Sequence, residues 1–117
     1  YKISKYILTY KNLVQNFFDY IVVSPGIDIN KCHLSSFIKK NSKKIITDLD
    51  IFYSLNKNKN ITITGTNGKS TTAKILHEVL KNQNYDVRLV GNIGNPILLE
   101  KKIKKKTIFV IEASARI

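Results

Sequence analysis

Residues 63 to 72 read I-T-G-T-N-G-K-S-T-T, a run of residue types able to grip a polyphosphate. Gly65 and Gly68 carry no Cβ, so the backbone can turn tightly there and bring its N–H groups against phosphate oxygens. Lys69 adds a mobile positive charge, and Ser70 or Thr71 offers a hydroxyl to a magnesium ion. A β-rich run ends here and a helical pattern begins, so the helix N-terminus adds its own preference for an anion. The chemistry indicated is binding of a nucleoside triphosphate with its metal. The full P-loop pattern has a glycine at position 63, where Ile63 stands, so this is the shorter G-x-x-G-K-S form.

A magnesium ion takes oxygen ligands, so a second acidic group is expected near the loop. Thr107 to Ile111 reads as a nearly all-apolar strand of the kind covered on both faces. It delivers Glu112 to its carboxyl end, where open α/β sheets bind ligands. Glu112 is therefore the candidate carboxylate, the alternative being a surface glutamate at a strand end. Asp19 to Ser24 reads as a buried strand stopped by Pro25 and Gly26, which leaves Ser24-Pro25-Gly26-Ile27 as either a contact loop or a plain turn. His33 and His77 read as surface or half-buried residues. Cys32, the single cysteine, permits no intrachain disulfide and no multi-cysteine zinc site, and it reads as half-buried.

The elements that must position these groups follow from hydrophobic period and punctuation. Residues 1–18 are amphipathic and fit a helix loosely, with a strand as the alternative at Thr9 and Tyr10. A short helix is expected over Asn30 to Lys40 with Asn30 as N-cap, then a strand over Lys44 to Thr47. Asp48 or Asp50 can cap a helix carrying Leu49, Phe52, Tyr53 and Leu55. The polar run Asn56 to Asn60 has nothing to bury and reads as a linker, which puts a domain boundary between residues 57 and 58. Beyond it come a strand at Ile61 to Thr64, a helix over Ser70 to Asn82 with Ile75, Leu76, Val79 and Leu80 on one apolar face, and a strand over Asp86 to Val90. One or two helical turns are expected in Ile97 to Lys102. Strands alternating with helices imply right-handed crossovers, so the expected fold class is α/β, parallel sheets with flanking helices.

Composition sets wider limits. The chain has 117 residues, is 43% hydrophobic and carries a formal net charge of +12, enough apolar material for a core and against global disorder. Its lysines are spread along the chain, and the densest cluster, Lys101 to Lys106, reads as a solvated loop, so no nucleic-acid partner is expected. No apolar stretch approaches membrane-spanning length, and residues 1–20 lack a signal-peptide core, so a cytoplasmic protein with no membrane partner is expected.

The loop from Ile63 to Thr72 resembles the ATP loop of the Mur ligases, ATP-dependent amide-forming enzymes of bacterial peptidoglycan synthesis. Val22-Val23-Ser24-Pro25-Gly26-Ile27 and Gly91-Asn92-Ile93-Gly94-Asn95-Pro96 are similar to stretches of the members that add D-glutamate to UDP-N-acetylmuramoyl-L-alanine. The loop alone would also suit folylpolyglutamate synthase or a P-loop nucleotide-binding module without ligase activity.

The resemblance implies that residues 1–57 are the later part of a Rossmann-like UDP-substrate domain and residues 58–117 the opening part of a P-loop ATPase central domain. It implies that Gly65, Thr66, Asn67, Gly68, Lys69, Ser70 and Thr71 hold ATP. Ser70 and Glu112 would hold Mg2+, and Lys69 and Glu112 would serve catalysis. Asn92 and Ser114 would lie near the muramoyl substrate, and Ser24, Pro25 and Gly26 near its UDP portion. A monomer is expected, inactive without the family's third domain. After Ser114 the pattern departs from the family, which usually continues with serine, an aromatic residue and glutamine where Ala115, Arg116 and Ile117 stand.

Overall fold

The computed structural model describes residues 8–24 and 26–114. The chain divides into two compact units between Thr47 and Asp48.

The first unit holds a short parallel pair. Strand β1 (Ile21–Val22) lies beside β2 (Ile45–Ile46), with Ile21 opposite Ile45 and Val22 opposite Ile46. The ladder is shorter than the buried strand expected over Asp19 to Ser24: Val23 is buried, but Val22 is 55% exposed. Helix α1 (Tyr10–Gln15) is capped by Thr9, whose hydroxyl accepts from the Asn12 N–H at 3.3 Å. Helix α2 (Ser35–Lys40) buries Phe37 and Ile38, and Phe37 meets Phe18 edge-on with ring centroids 6.3 Å apart.

The helix expected from Asn30 starts later, at Ser35, because Asp28 captures the preceding backbone. Its carboxylate accepts from the Asn30 N–H at 3.0 Å, and its carbonyl accepts from Lys31 and Cys32. Such local bonds favour turns over helix.

In the second unit, α3 (Asp48–Leu55), β3 (Asn60–Ile63), α4 (Lys69–Asn82), β4 (Val87–Gly91) and β5 (Ile108–Glu112) follow one another, with a single 3-10 turn at Ile97–Leu99 between β4 and β5. The sheet order is β3-β5-β4, and both pairings are parallel. The α/β fold with parallel sheets and flanking helices is thus present in fact. Every residue of β5 is buried, which explains its apolar run: side chains alternate between two covered faces.

One face packs Ile108 and Val110 against Ala73, Leu76 and Leu80 of α4. The other packs Phe109 and Ile111 against Phe52, Val90 and Ile97, with the Phe52 and Phe109 rings edge-to-face at 4.9 Å. An edge-to-face aromatic pair adds about 0.5–1.5 kcal/mol beyond its area burial.

Two expectations are corrected by this packing. The buried stripe of α4 runs through Ala73, Leu76 and Leu80, while Ile75 and Val79 are 59% and 52% exposed. At about 3.6 residues per turn, positions 73, 76 and 80 share a face that 75 and 79 cannot join. Second, the run Asn56 to Asn60 is a fixed corner. The Asn58 side-chain amide donates to the carbonyls of Lys104 at 2.7 Å and Thr107 at 3.0 Å.

Helix α3 precedes that corner yet packs on β5 through Phe52, and the Tyr53 and Thr62 hydroxyls share a hydrogen bond. The compact division accordingly falls ahead of α3. Residues 101–106 are all exposed, as a solvated loop should be. Among the described residues no helix is long and apolar enough to cross a membrane.

Candidate phosphate and metal site

The register of the three-stranded sheet brings three chain segments to one end. Ile63, Glu112 and Gly91 stand side by side as the last paired residues of β3, β5 and β4. β3 and β4 then give way to turns at this carboxyl edge, where a helix N-terminus can face a ligand.

After β3 the backbone passes through Gly65 and reaches Gly68, which stands at the N-cap of α4 with φ 74° and ψ 0°. That left-handed conformation is strained for a residue with a Cβ, and glycine adopts it freely. The first helical N–H groups, from Lys69 onward, have no partner earlier in the helix and point back into the turn. No acidic residue stands in the first turn of α4, so its positive end is left for an external anion.

Glu112 faces this helix start. Its side chain is buried, and the Ser70 hydroxyl donates to its Oε2 at 3.0 Å across a separation of 42 residues. The β5 backbone is fixed there by the Ala113 N–H, which donates to the Ile63 carbonyl at 3.0 Å. Lys69 curls back so that its Nζ stands 3.5 Å from the Thr66 carbonyl, a long and weak bond that leaves the ammonium free to turn to a phosphate.

A hydroxyl and a carboxylate oxygen in contact are the hard donors magnesium takes, so Ser70 and Glu112 fit that ion. Among the described residues no cluster of three or more His, Cys, Asp or Glu could hold a metal. A magnesium ion at this pair would therefore draw its remaining ligands from phosphate and water, its usual habit in nucleotide sites.

The G-N-I-G turn adjoins the same edge. Asn92 is exposed, and its N–H donates to the Glu112 carbonyl at 3.0 Å. Gly91 has φ 106°, and a Cβ there would run into that carbonyl. The close approach explains why this position is a glycine.

Ser114 is half-buried two residues past Glu112, and Thr66, Asn67 and Thr71 are exposed along the loop and helix start. Ser24 and Gly26 belong to the first unit, in the turn after β1 where the Ile27 N–H donates to the Ser24 carbonyl at 3.1 Å. Pro25 and residues 115–117 lie outside the described residues. His77 is half-buried on α4 beside Glu78, and His33 is exposed. Sequence reading quoted Asn95 only as part of the G-N-I-G-N-P stretch and did not pick out Glu100; their side chains bond at 2.8 Å behind the Asn92 turn. Nothing in the spacing of Asn95 and Glu100 marks them as a pair.

The family comparison bears on the same segment. The Mur ligase middle domain matches residues 63–117, which begin at the end of β3 and include the loop, Asn92 and Glu112. Over this segment the chain is similar to the Mur ligase family. It is 44% identical over 104 residues to the UDP-N-acetylmuramoylalanine–D-glutamate ligase of Francisella tularensis strain SCHU S4, covering 86% of this chain and 24% of that relative. The ligase of the same name from Francisella philomiragia is 43% identical over 102 residues, with 84% and 24% covered. The chain therefore spans about a quarter of the length of the curated relatives it matches.

Proposed function

We propose that this chain forms the nucleotide-gripping part of a cytoplasmic, ATP-dependent ligase of peptidoglycan precursor synthesis, which joins D-glutamate to UDP-N-acetylmuramoyl-L-alanine. The observation that carries the reading is the contact of Ser70 with Glu112 at the head of the G-x-x-G-K-S loop. Relatives of that name matching over most of the chain support the choice of substrates. Residues 1–57 would belong to a UDP-substrate domain, with Ser24, Pro25 and Gly26 near the UDP group. Residues 58–117 would open the ATPase domain, with Asn92 and Ser114 toward the muramoyl substrate.

A carboxylate is too poor an electrophile to form an amide in water. Its oxygen therefore attacks the γ-phosphorus of ATP, displacing ADP and giving an acyl phosphate. The amine of D-glutamate then attacks the acyl carbon, phosphate leaves, and the amine proton passes to solvent. In this scheme the N–H groups of residues 65–71 hold the phosphate oxygens in line, and Lys69 neutralises charge that builds on the transferring phosphoryl group. Bound magnesium would supply charge neutralisation between the phosphates, held by Ser70 and Glu112.

In the full-length ligase, Lys69→Ala is expected to cut phosphate release dependent on D-glutamate and the muramoyl substrate by at least about a hundredfold, with the circular dichroism spectrum unchanged. Near-normal turnover in that variant would overturn the reading.

A further inference from the structure

Behind the Asn92 turn lies a set of polar side chains that the ligase chemistry does not use. Glu100 is the centre of it. Its side chain is only 4% exposed, and its Oε1 accepts from the Asn95 side-chain amide at 2.8 Å. Its Oε2 stands 4.0 Å from Arg88 Nε, an ion pair too long to be a hydrogen bond, and that Nε is buried with no hydrogen-bond partner. Arg88 is held from its other side by Asp86, Nη2 to Oδ1 at 3.2 Å. Asp86 in turn accepts from the buried Thr107 hydroxyl at 2.6 Å. A chain of polar contacts thus runs from the start of β5 to Asn95.

Asn95 closes the turn that carries Asn92. Its N–H donates to the Leu89 carbonyl at 3.1 Å, and its carbonyl accepts from the Gly91 N–H at 3.3 Å. The turn's other tie is the Asn92 N–H on the Glu112 carbonyl. Asn92 therefore sits between two anchors, one on the strand that bears Glu112 and one on Asn95, which Glu100 grips by its side chain. A hydrogen bond to a buried carboxylate is stronger than a neutral one, so loss of Glu100 removes the side-chain tie on the closing residue and leaves it on its two backbone bonds alone.

We propose that Glu100 is a positioning residue, which through Asn95 fixes the Asn92 turn against the tip of β5 and so sets affinity for the substrate that Asn92 faces. The proposal rests on the ligase reading for the identity of that substrate.

In the full-length ligase, Glu100→Ala is expected to raise KM for UDP-N-acetylmuramoyl-L-alanine about tenfold, while KM for ATP stays within about twofold of wild type. Hydrogen–deuterium exchange at the Asn92 and Asn95 amides should quicken in that variant. Glu100→Gln, whose side-chain carbonyl still accepts from Asn95, should restore both readouts. Asn95→Ala, at an exposed position, should reproduce the effect even where Glu100→Ala fails to fold.

Unchanged exchange and unchanged KM in Asn95→Ala would overturn the proposal. So would an equal rise in both KM values, the mark of a general loosening. Failure of the ligase reading would look different, because wild type itself would then release no phosphate in response to the muramoyl substrate.

Discussion

Gly68 and Gly91 do different work at the same edge of the sheet. Gly68 takes a left-handed φ with open space around it, whereas Gly91 combines a positive φ with a backbone packed against it. Gly68→Ala should therefore cost only the conformational strain, about 1 kcal/mol of stability by denaturant midpoint. Gly91→Ala must also push the Glu112 carbonyl aside, so a loss of at least about 2 kcal/mol is expected in the same measurement. Equal losses would mean that the close approach at Gly91 carries no energetic weight. The glycines of the loop were legible because Gly-Lys-Ser at a strand-to-helix change has few structural uses. Glu112 was legible because an apolar run of strand length ends on it. Glu100 was not, since its partners Asn95 and Arg88 become neighbours only once β4 and the following turn have folded.

At the level of elements, Phe52 ties α3 to the sheet. It is 4% exposed and stacks edge-on against Phe109, so Phe52→Ala should destabilise the fold by about 3–5 kcal/mol in urea unfolding. Ile75→Ser and Val79→Ser on the outer side of α4 should each stay within about 0.5 kcal/mol of wild type. The reverse ranking would restore the apolar face read from sequence. That face was misplaced because Ala73, fully buried, is small enough to pass for a neutral position while Ile75 and Val79 look like core. The allegiance of α3 was hidden for a related reason: an amphipathic stripe says that a helix buries one side, not which core receives it. The strand at β5 was plain because both its faces are buried, which erases the polar alternation and leaves a continuous apolar run.

For the whole molecule, a net charge of +12 raises the question of a nucleic-acid face, but the lysines of residues 101–106 lie in an exposed loop whose sequence holds no aromatic residue. No shift of double-stranded DNA is expected in gels at about 0.15 M salt, and tight salt-sensitive binding there would contradict this. The three parallel strands of the second unit were foreseeable from alternating patterns, and what these strands assemble is one edge where loop, helix start and carboxylate meet. Magnesium-linked ATP affinity in the full-length protein tests that meeting most directly, measured by calorimetry for wild type, Ser70→Ala, Glu112→Gln and the double variant. Magnesium should tighten ATP binding to wild type, each single variant should lose about tenfold or more of that gain, and the double variant should lose little beyond either single one. Full magnesium enhancement in both single variants would contradict the placement of the metal between Ser70 and Glu112.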